Sequence, residues 1–141
     1  MAIKQFVTFR IEGDLLGVDI LRVREINRML DITPVPKAPA YVRGLVNLRG
    51  QTLTVFDLGI RLGLPPREIT EESHNVVLKH HPVGLLVDSI GNIVQCDELE
   101  VELCPANADS IEEKFIEGVL KLEDGLLIIL RTGKLLEYAG V

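Results

Sequence analysis

Short apolar or alternating runs, most of them strand-length, set the texture of this chain, with Gly, Pro, Asp and Asn between them. The runs are Phe6–Ile11, Leu15–Ile20, Val42–Leu48, Thr52–Leu58, Asn75–Leu78, Val83–Ile90, Phe115–Leu122 and Leu126–Leu130, and Val, Ile, Leu and Thr dominate them. Many short β-rich segments separated by turn residues predict an all-β fold, a sandwich or small barrels. One stretch fits two patterns: Leu15, Ile20, Val23, Ile26 and Leu30 also read as one stripe of a helix. The tail from Lys134 to Ala139 predicts a short terminal helix, Gly59–Leu64 a matching short turn, and the polar stretch of residues 67–73 a connection.

An internal repeat favours strands for the ambiguous stretch. Residues 43–62 lie over residues 117–136 without a gap, so that Gly44 falls on Gly118, Leu48 on Leu122, Leu53 on Leu127, Gly59 on Gly133 and Leu62 on Leu136. Earlier in each half, Gly17 falls on Gly84, Val18 on Leu85, Ile20 on Val87, Val23 on Ile90 and Ile26 on Ile93, and Val7–Phe9 falls on Val76–Leu78. The blocks keep their order, and the shifts in register fall at turns. The repeat predicts two small barrels of about five strands each, related by a pseudo-two-fold axis, within a single domain spanning residues 1–141. Their lobes cover approximately residues 1–68 and 69–141, and strands can pass from one lobe into the other. Each half is the size of a marginal domain, so the two must share an apolar seam. The third run of each half is the natural crossing element, which places Val23 and Ile90 at that seam.

Composition narrows the function. Of 141 residues, 47% are hydrophobic and only 4% aromatic, with no Trp, so the core is aliphatic. Asp and Glu number 21 against 15 Lys and Arg, a net charge of -6. That balance opposes sequence-independent nucleic-acid binding and docking on anionic lipid. No apolar run is long enough to span a bilayer, and Met1–Phe9 lacks the pattern of a signal peptide, so the expected compartment is the cytosol. Cys96 and Cys104 then read as reduced, buried thiols rather than a bridge.

Catalytic patterns are missing. There is no phosphate-binding glycine loop and no nucleophile elbow. His74, His80, His81 and the two cysteines lack the spacing of a zinc site, so neither metal nor cofactor is expected. Asp57 and Asp88 stand out within apolar runs; as an acid pair they would be catalytic, but at strand ends they read better as turn-closing acceptors of backbone N–H bonds. A barrel without nucleophile, base or cofactor loop is a binding module.

Specific motifs say of which kind. GVDILRVREI at residues 17–26, ITPVPKAPAYVRG at 32–44 and NLRG at 47–50, followed by Thr54, Asp57 and Leu58, occur in one order. Together they resemble the CheW family of chemotaxis adaptors, from about Gln5 to the tail. The resemblance implies two SH3-like five-stranded barrels and a non-catalytic scaffold that couples methyl-accepting chemotaxis receptors to the histidine kinase CheA. It implies that a receptor's helical hairpin tip docks in an apolar groove between the lobes, at Val7, Ile20, Val23, Glu25, Ile26 and Ile90. Plain core packing is the other reading of Val7 and Ile20, and a solvated face that of Glu25. Gly44 and Arg49 match family positions tied to receptor and kinase coupling; an intrachain ion pair is the alternative for Arg49. Gly50 and Asp57 are structural turn residues.

The implied partners are the receptor's cytoplasmic tip and the regulatory domain of CheA, with no nucleic acid and no direct membrane insertion, in a cytoplasmic protein recruited to membrane-associated arrays. Under the repeat, Arg43 faces Glu117, Arg49 faces Glu123 and Asp57 faces Arg131, so three equivalent positions invert their charge. Ends alike in shape and opposite in sign would suit ring assembly with kinase domains; unrelated or intrachain charges are the other reading. Adaptors of non-flagellar pathways, such as twitching or gliding, share these motifs. An oligonucleotide-binding barrel would need a basic groove with interleaved aromatics, which this composition lacks.

Overall fold

The structure, a computed structural model, describes residues 2–28, 30–103 and 111–137. Among these residues ten strands form: β1 (Ile3–Ile11), β2 (Asp14–Asp19), β3 (Val23–Asn27), β4 (Val42–Leu48), β5 (Gln51–Asp57), β6 (His74–Leu78), β7 (Val83–Val87), β8 (Ser89–Asp97), β9 (Ile116–Leu122) and β10 (Gly125–Leu130). Two one-turn helices, α1 (Leu58–Arg61) and α2 (Thr132–Leu135), follow β5 and β10. The expected tail helix thus begins two residues earlier, and residues 138 and 139 lie outside the described residues. So does Cys104, and with it the relation of the two cysteines; Cys96 is buried on β8.

The strands form two five-stranded sheets, β8-β1-β2-β10-β9 and β3-β6-β7-β5-β4. Each draws strands from both halves of the sequence. Replacing every strand by its equivalent in the repeat (β1 by β6, β2 by β7, β3 by β8, β4 by β9, β5 by β10) converts one order into the other. The hydrogen-bond register follows: the parallel pair Thr54 with Val83 in one sheet corresponds to Ile128 with Leu16 in the other. The chain changes sheet between β2 and β3 and again between β7 and β8.

Neither sheet closes into a barrel, which corrects the fold expected from the repeat and the family resemblance. The reason lies at the edges. On β4 the outer backbone groups are taken by a one-residue bridge, Thr33 to Leu45, with N–H···O distances of 2.9 and 2.8 Å. On β9 an equivalent bridge joins Glu102 to Val119 at 2.8 and 2.9 Å. Loops therefore occupy the hydrogen-bonding positions that a closing strand would need. At the opposite edges, β3 and β8 end their sheets.

The core explains why the two sheets stay together. One buried cluster takes Val7, Phe9, Ile11, Leu16 and Val18 from the first sheet and Phe56, Val76, Leu78, Leu85 and Val87 from the second. Each sheet adds a smaller cluster on its other side, around Val46, Leu53, Val55 and Leu86 in one and Phe6, Leu120, Leu127 and Ile129 in the other. Strand β7 is buried along its whole length because it has apolar neighbours on both faces.

Polar clasps fix the periphery. Asp57 is fully buried. It caps α1 by accepting from the Ile60 N–H at 3.1 Å, accepts from the Arg67 N–H at 2.8 Å and pairs with Arg43 at 3.2 Å. The segment read as a polar connection conceals Arg67, whose side chain is buried and bridges Glu12 and Asp88 at 2.8 and 2.7 Å. Arg67 thereby ties the β1–β2 hairpin to the crossing between β7 and β8. Gly59 is required beside it, since a Cβ there would run into the guanidinium. Replacing Asp57 with Ala leaves the Ile60 and Arg67 backbone N–H groups without their acceptor and Arg43 without its carboxylate partner, and is expected to lower stability by about 3 kcal/mol, read as a fall in Tm of roughly 10 °C in a circular dichroism melt.

Candidate functional site

Residues three apart on a regular strand face opposite sides, yet Val23 and Ile26 share one face. A register shift in β3 makes this so: Val23 pairs with Leu78, Glu25 with Val77 and Ile26 with Val76, so one extra residue is absorbed between Val23 and Glu25. Leu78 and Val76 belong to the shared core, and Val23 and Ile26 lie on their side of the sheet. Ile20 precedes them in a 3-10 turn, Ile20–Arg22, whose Asp19 cap accepts from the Leu21 N–H at 2.9 Å. The turn and the bulge together produce the helix-like spacing of the sequence. The stretch is strand, turn and bulged strand.

β8 repeats the device. Phe9 pairs with Ile90 and Val7 with Ile93, again with one extra residue on the edge strand. These are the repeat equivalents of the Leu78–Val23 and Val76–Ile26 pairs. Gly91 sits at this irregularity, where a Cβ would press on the Thr8 hydroxyl. Two equivalent edge strands therefore carry equivalent apolar residues, Val23 with Ile26 and Ile90 with Ile93. Ile20, Val23 and Ile90 are half-buried and pack on the same core cluster. Ile26 is 37% exposed and Ile93 56%. Val7, at 4%, belongs to the core cluster beneath them. Ile93 was not among the residues expected at the site, although the repeat aligns it with Ile26.

Glu25 faces the other side of β3 and forms an ion pair with Arg49, the residue at the tip of the β4–β5 hairpin. Beside it, Arg24 donates to the Gln51 side chain at 2.7 Å. β3 and β4 are the two outer strands of one sheet, so these contacts draw its ends towards each other by side chains where backbone pairing is absent. Arg49 remains 67% exposed at its side chain. Its backbone is fixed by the hairpin: Arg49 has φ of 49° and Gly50 of 85°, the two left-handed positions of a type I′ turn, and the Asn47 side chain accepts from the Gly50 N–H at 2.9 Å. This is the physical content of NLRG. Gly44 lies at φ 150° under the bridge from Thr33, and any Cβ there would collide with the Thr33 carbonyl.

Near the 3-10 turn, a cleft of about 470 Å³ is lined by charged groups including Lys4, Arg22, Glu117 and Arg131, together with Gly133 of α2. Among the described residues no group of three His, Cys, Asp or Glu converges on a metal-sized site. Burial, with Glu100 and Asp97 nearby, pushes the Cys96 thiol up. Asp57, 0% exposed and paired with Arg43, presents no charge at the surface, which removes one of the three charge inversions read from the repeat.

The Asn27 side chain, donating at 3.2 Å, and then Arg49 hold the Glu25 carboxyl below its ordinary pKa of 4.5, against an opposing effect of burial. A depressed carboxylate contributes stability that is complete above the ordinary value and lost as pH falls through the lowered one. Carbon-detected NMR titration is expected to place Glu25 below the ordinary value in the wild type and to raise it in both Asn27→Ala and Arg49→Ala; an unchanged midpoint in both variants would contradict the pairing.

Comparison with known proteins fits this geometry. The sequence pattern of the CheW-like domain matches residues 5–140. The chain is 35% identical over 128 residues to the chemotaxis protein CheW of Rhizobium meliloti, covering 89% of this chain and 83% of that one. It is 32% identical over 143 residues to the chemotaxis protein CheW of Thermotoga maritima, with 99% and 93% covered. The crystal structure of the scaffolding protein TtCheW from Thermoanaerobacter tengcongensis superposes with a TM-score of 0.89 at 31% identity, over 100% of this chain and 92% of that one. Sequence match and overall shape agree: the chain belongs to the CheW-like domain family.

Proposed function

We infer that the chain is a non-catalytic scaffold of the CheW type that couples methyl-accepting chemotaxis receptors to the histidine kinase CheA. The observation that carries the docking mode is the pair of equivalent bulged edge strands, which expose Ile26 on one sheet and Ile93 on the other, each beside a half-buried neighbour, Val23 or Ile90. A receptor's helical hairpin tip would lay apolar anchors against this strip, the helix-in-groove mode of recognition. Ile20 extends the strip and Val7 supports it from the core. Glu25 and its partner Arg49 would place charge behind the strip, on the other face of β3, and Gly44 would keep the β4 edge covered so that the hairpin bearing Arg49 holds its place.

A contact of this modest size has an affinity on the order of micromolar. An array supplies the rest, because each partner is held near several copies of the others. The regulatory domain of CheA would meet the outer ends of the sheets, where Arg49 on one and Glu117, Glu123 and Arg131 on the other offer charge of both signs, an arrangement suited to head-to-tail contacts that close into rings. No helix among the described residues is long and apolar enough to cross a membrane. Recruitment to membrane-borne receptors from the cytoplasm accords with that.

Val23→Asp puts a carboxylate into the apolar contact, which costs several kcal/mol if it stays desolvated. Capture by receptor-containing membranes is expected to fall by at least about tenfold, while a circular dichroism melt still shows one cooperative transition. Wild-type capture by the folded variant would remove the strip from the receptor contact.

A further inference from the structure

Arg61 breaks the repeat at the place where its two halves touch. In the gapless register that lays residues 43–62 over residues 117–136, α1 falls on α2 and Arg61 on Leu135; extended by two residues, Tyr41 falls on Phe115. The Arg61 guanidinium lies between those two equivalent rings, 4.8 Å from the centre of Tyr41 and 4.9 Å from that of Phe115. It donates to the carbonyl oxygens of Leu135 at 2.9 Å, Lys134 at 3.0 Å and Glu137. One side chain of the first half thus caps the C-terminal carbonyls of the equivalent helix in the second. A planar fork can serve several carbonyls while stacking on aromatic faces, and no other side chain combines both.

α2 and the residue after it share a cavity with the turn that presents the proposed docking residues. Thr132, Gly133 and Leu136 meet Arg22, Leu78 and Lys79 across a small cavity of about 50 Å³. Arg22 closes the 3-10 turn that begins at Ile20 and leads into Val23, and the Arg22 carbonyl accepts from the Lys79 N–H at 2.8 Å. α2 is therefore capped by Arg61 and borders a cavity that the turn presenting Ile20 and Val23 also borders. We propose that Arg61 is a positioning residue for receptor docking: it seats α2, and α2 sets the 3-10 turn that aims Ile20 and Val23. This rests on the docking strip described under the proposed function.

The test uses the full-length chain with Arg61→Ala and Arg61→Lys, titrated separately by calorimetry against a receptor cytoplasmic-tip fragment and against the CheA regulatory domain, well below the melting range. For Arg61→Ala, affinity for the receptor fragment is expected to fall about tenfold while affinity for the kinase domain stays within about twofold. Amides of residues 132–136 should exchange about tenfold faster. Arg61→Lys keeps the charge over the rings and one donor, and should lose about threefold in receptor affinity alone. Equal losses for both partners, or wild-type receptor affinity in a folded variant, overturns the proposal. If Arg61→Ala does not fold, the lysine variant decides by the same criteria. Val23→Asp separates the two ideas: wild-type receptor binding by that variant defeats the docking strip itself, whereas its loss together with unchanged binding by Arg61→Ala defeats only the role of Arg61.

Discussion

Each of the two sheets has one face that only the other can cover. Valines, leucines and phenylalanines from both sheets interdigitate in one core, and neither five-stranded sheet could bury that face alone. The remaining features follow from this contact. It requires the chain to change sheet twice, at the 3-10 turn of Ile20–Arg22 and at Asp88. It also brings the two edge strands that follow those crossings, β3 and β8, onto the margins of one shared core. Equivalent apolar residues at two margins of one core are thus a direct product of duplication with exchange of strands.

Curling without closure gives the sheets their working shape. A closed barrel would satisfy β3 and β8 with backbone partners and leave nothing open at the seam. Here loop bridges satisfy β4 and β9, and in one sheet Glu25, Arg49, Arg24 and Gln51 span the remaining gap through side chains. Glu25 and Arg49, which the sequence matches to family positions, therefore pair with each other inside the chain. Side-chain closure is adjustable by a partner in a way that a backbone ladder is not, because an exposed ion pair is weak and exchanges readily with water or with another charge.

The duplication and most of the strands were legible because apolar and Gly positions recur in order, and the repeat set the turn expected at Gly59–Leu64, which is α1, against the tail helix; β8 was not separated from β7 in the run Val83–Ile90. Bulges were not legible. One extra residue in β3 or β8 leaves no compositional mark, yet it decides that Val23 and Ile26 face the same way. Closure was misread because sequence pattern reports which residues are apolar, not which backbone edge a loop will occupy, so Thr33 and Glu102 gave no sign of their bridges. Arg67 and Arg61 escaped notice for a related reason: Arg67 opens a polar segment, Arg61 is a lone charge in a short apolar turn, and their burial or stacking depends on partners far away in sequence, Asp88 for one and Phe115 for the other. Ile93 could have been found, since the alignment that paired Val23 with Ile90 also paired Ile26 with Ile93.

The central claim is that a receptor tip contacts two equivalent strands on two different sheets at once. Methyl NMR of the isotopically labelled chain, titrated with a receptor cytoplasmic-tip fragment, tests it most directly. The account predicts that the methyl groups of Ile20, Val23 and Ile26 shift together with those of Ile90 and Ile93, in a single saturating event, while buried Leu53 and Leu127 stay in place. Shifts confined to one of the two strands, or centred on residues away from both, would contradict it.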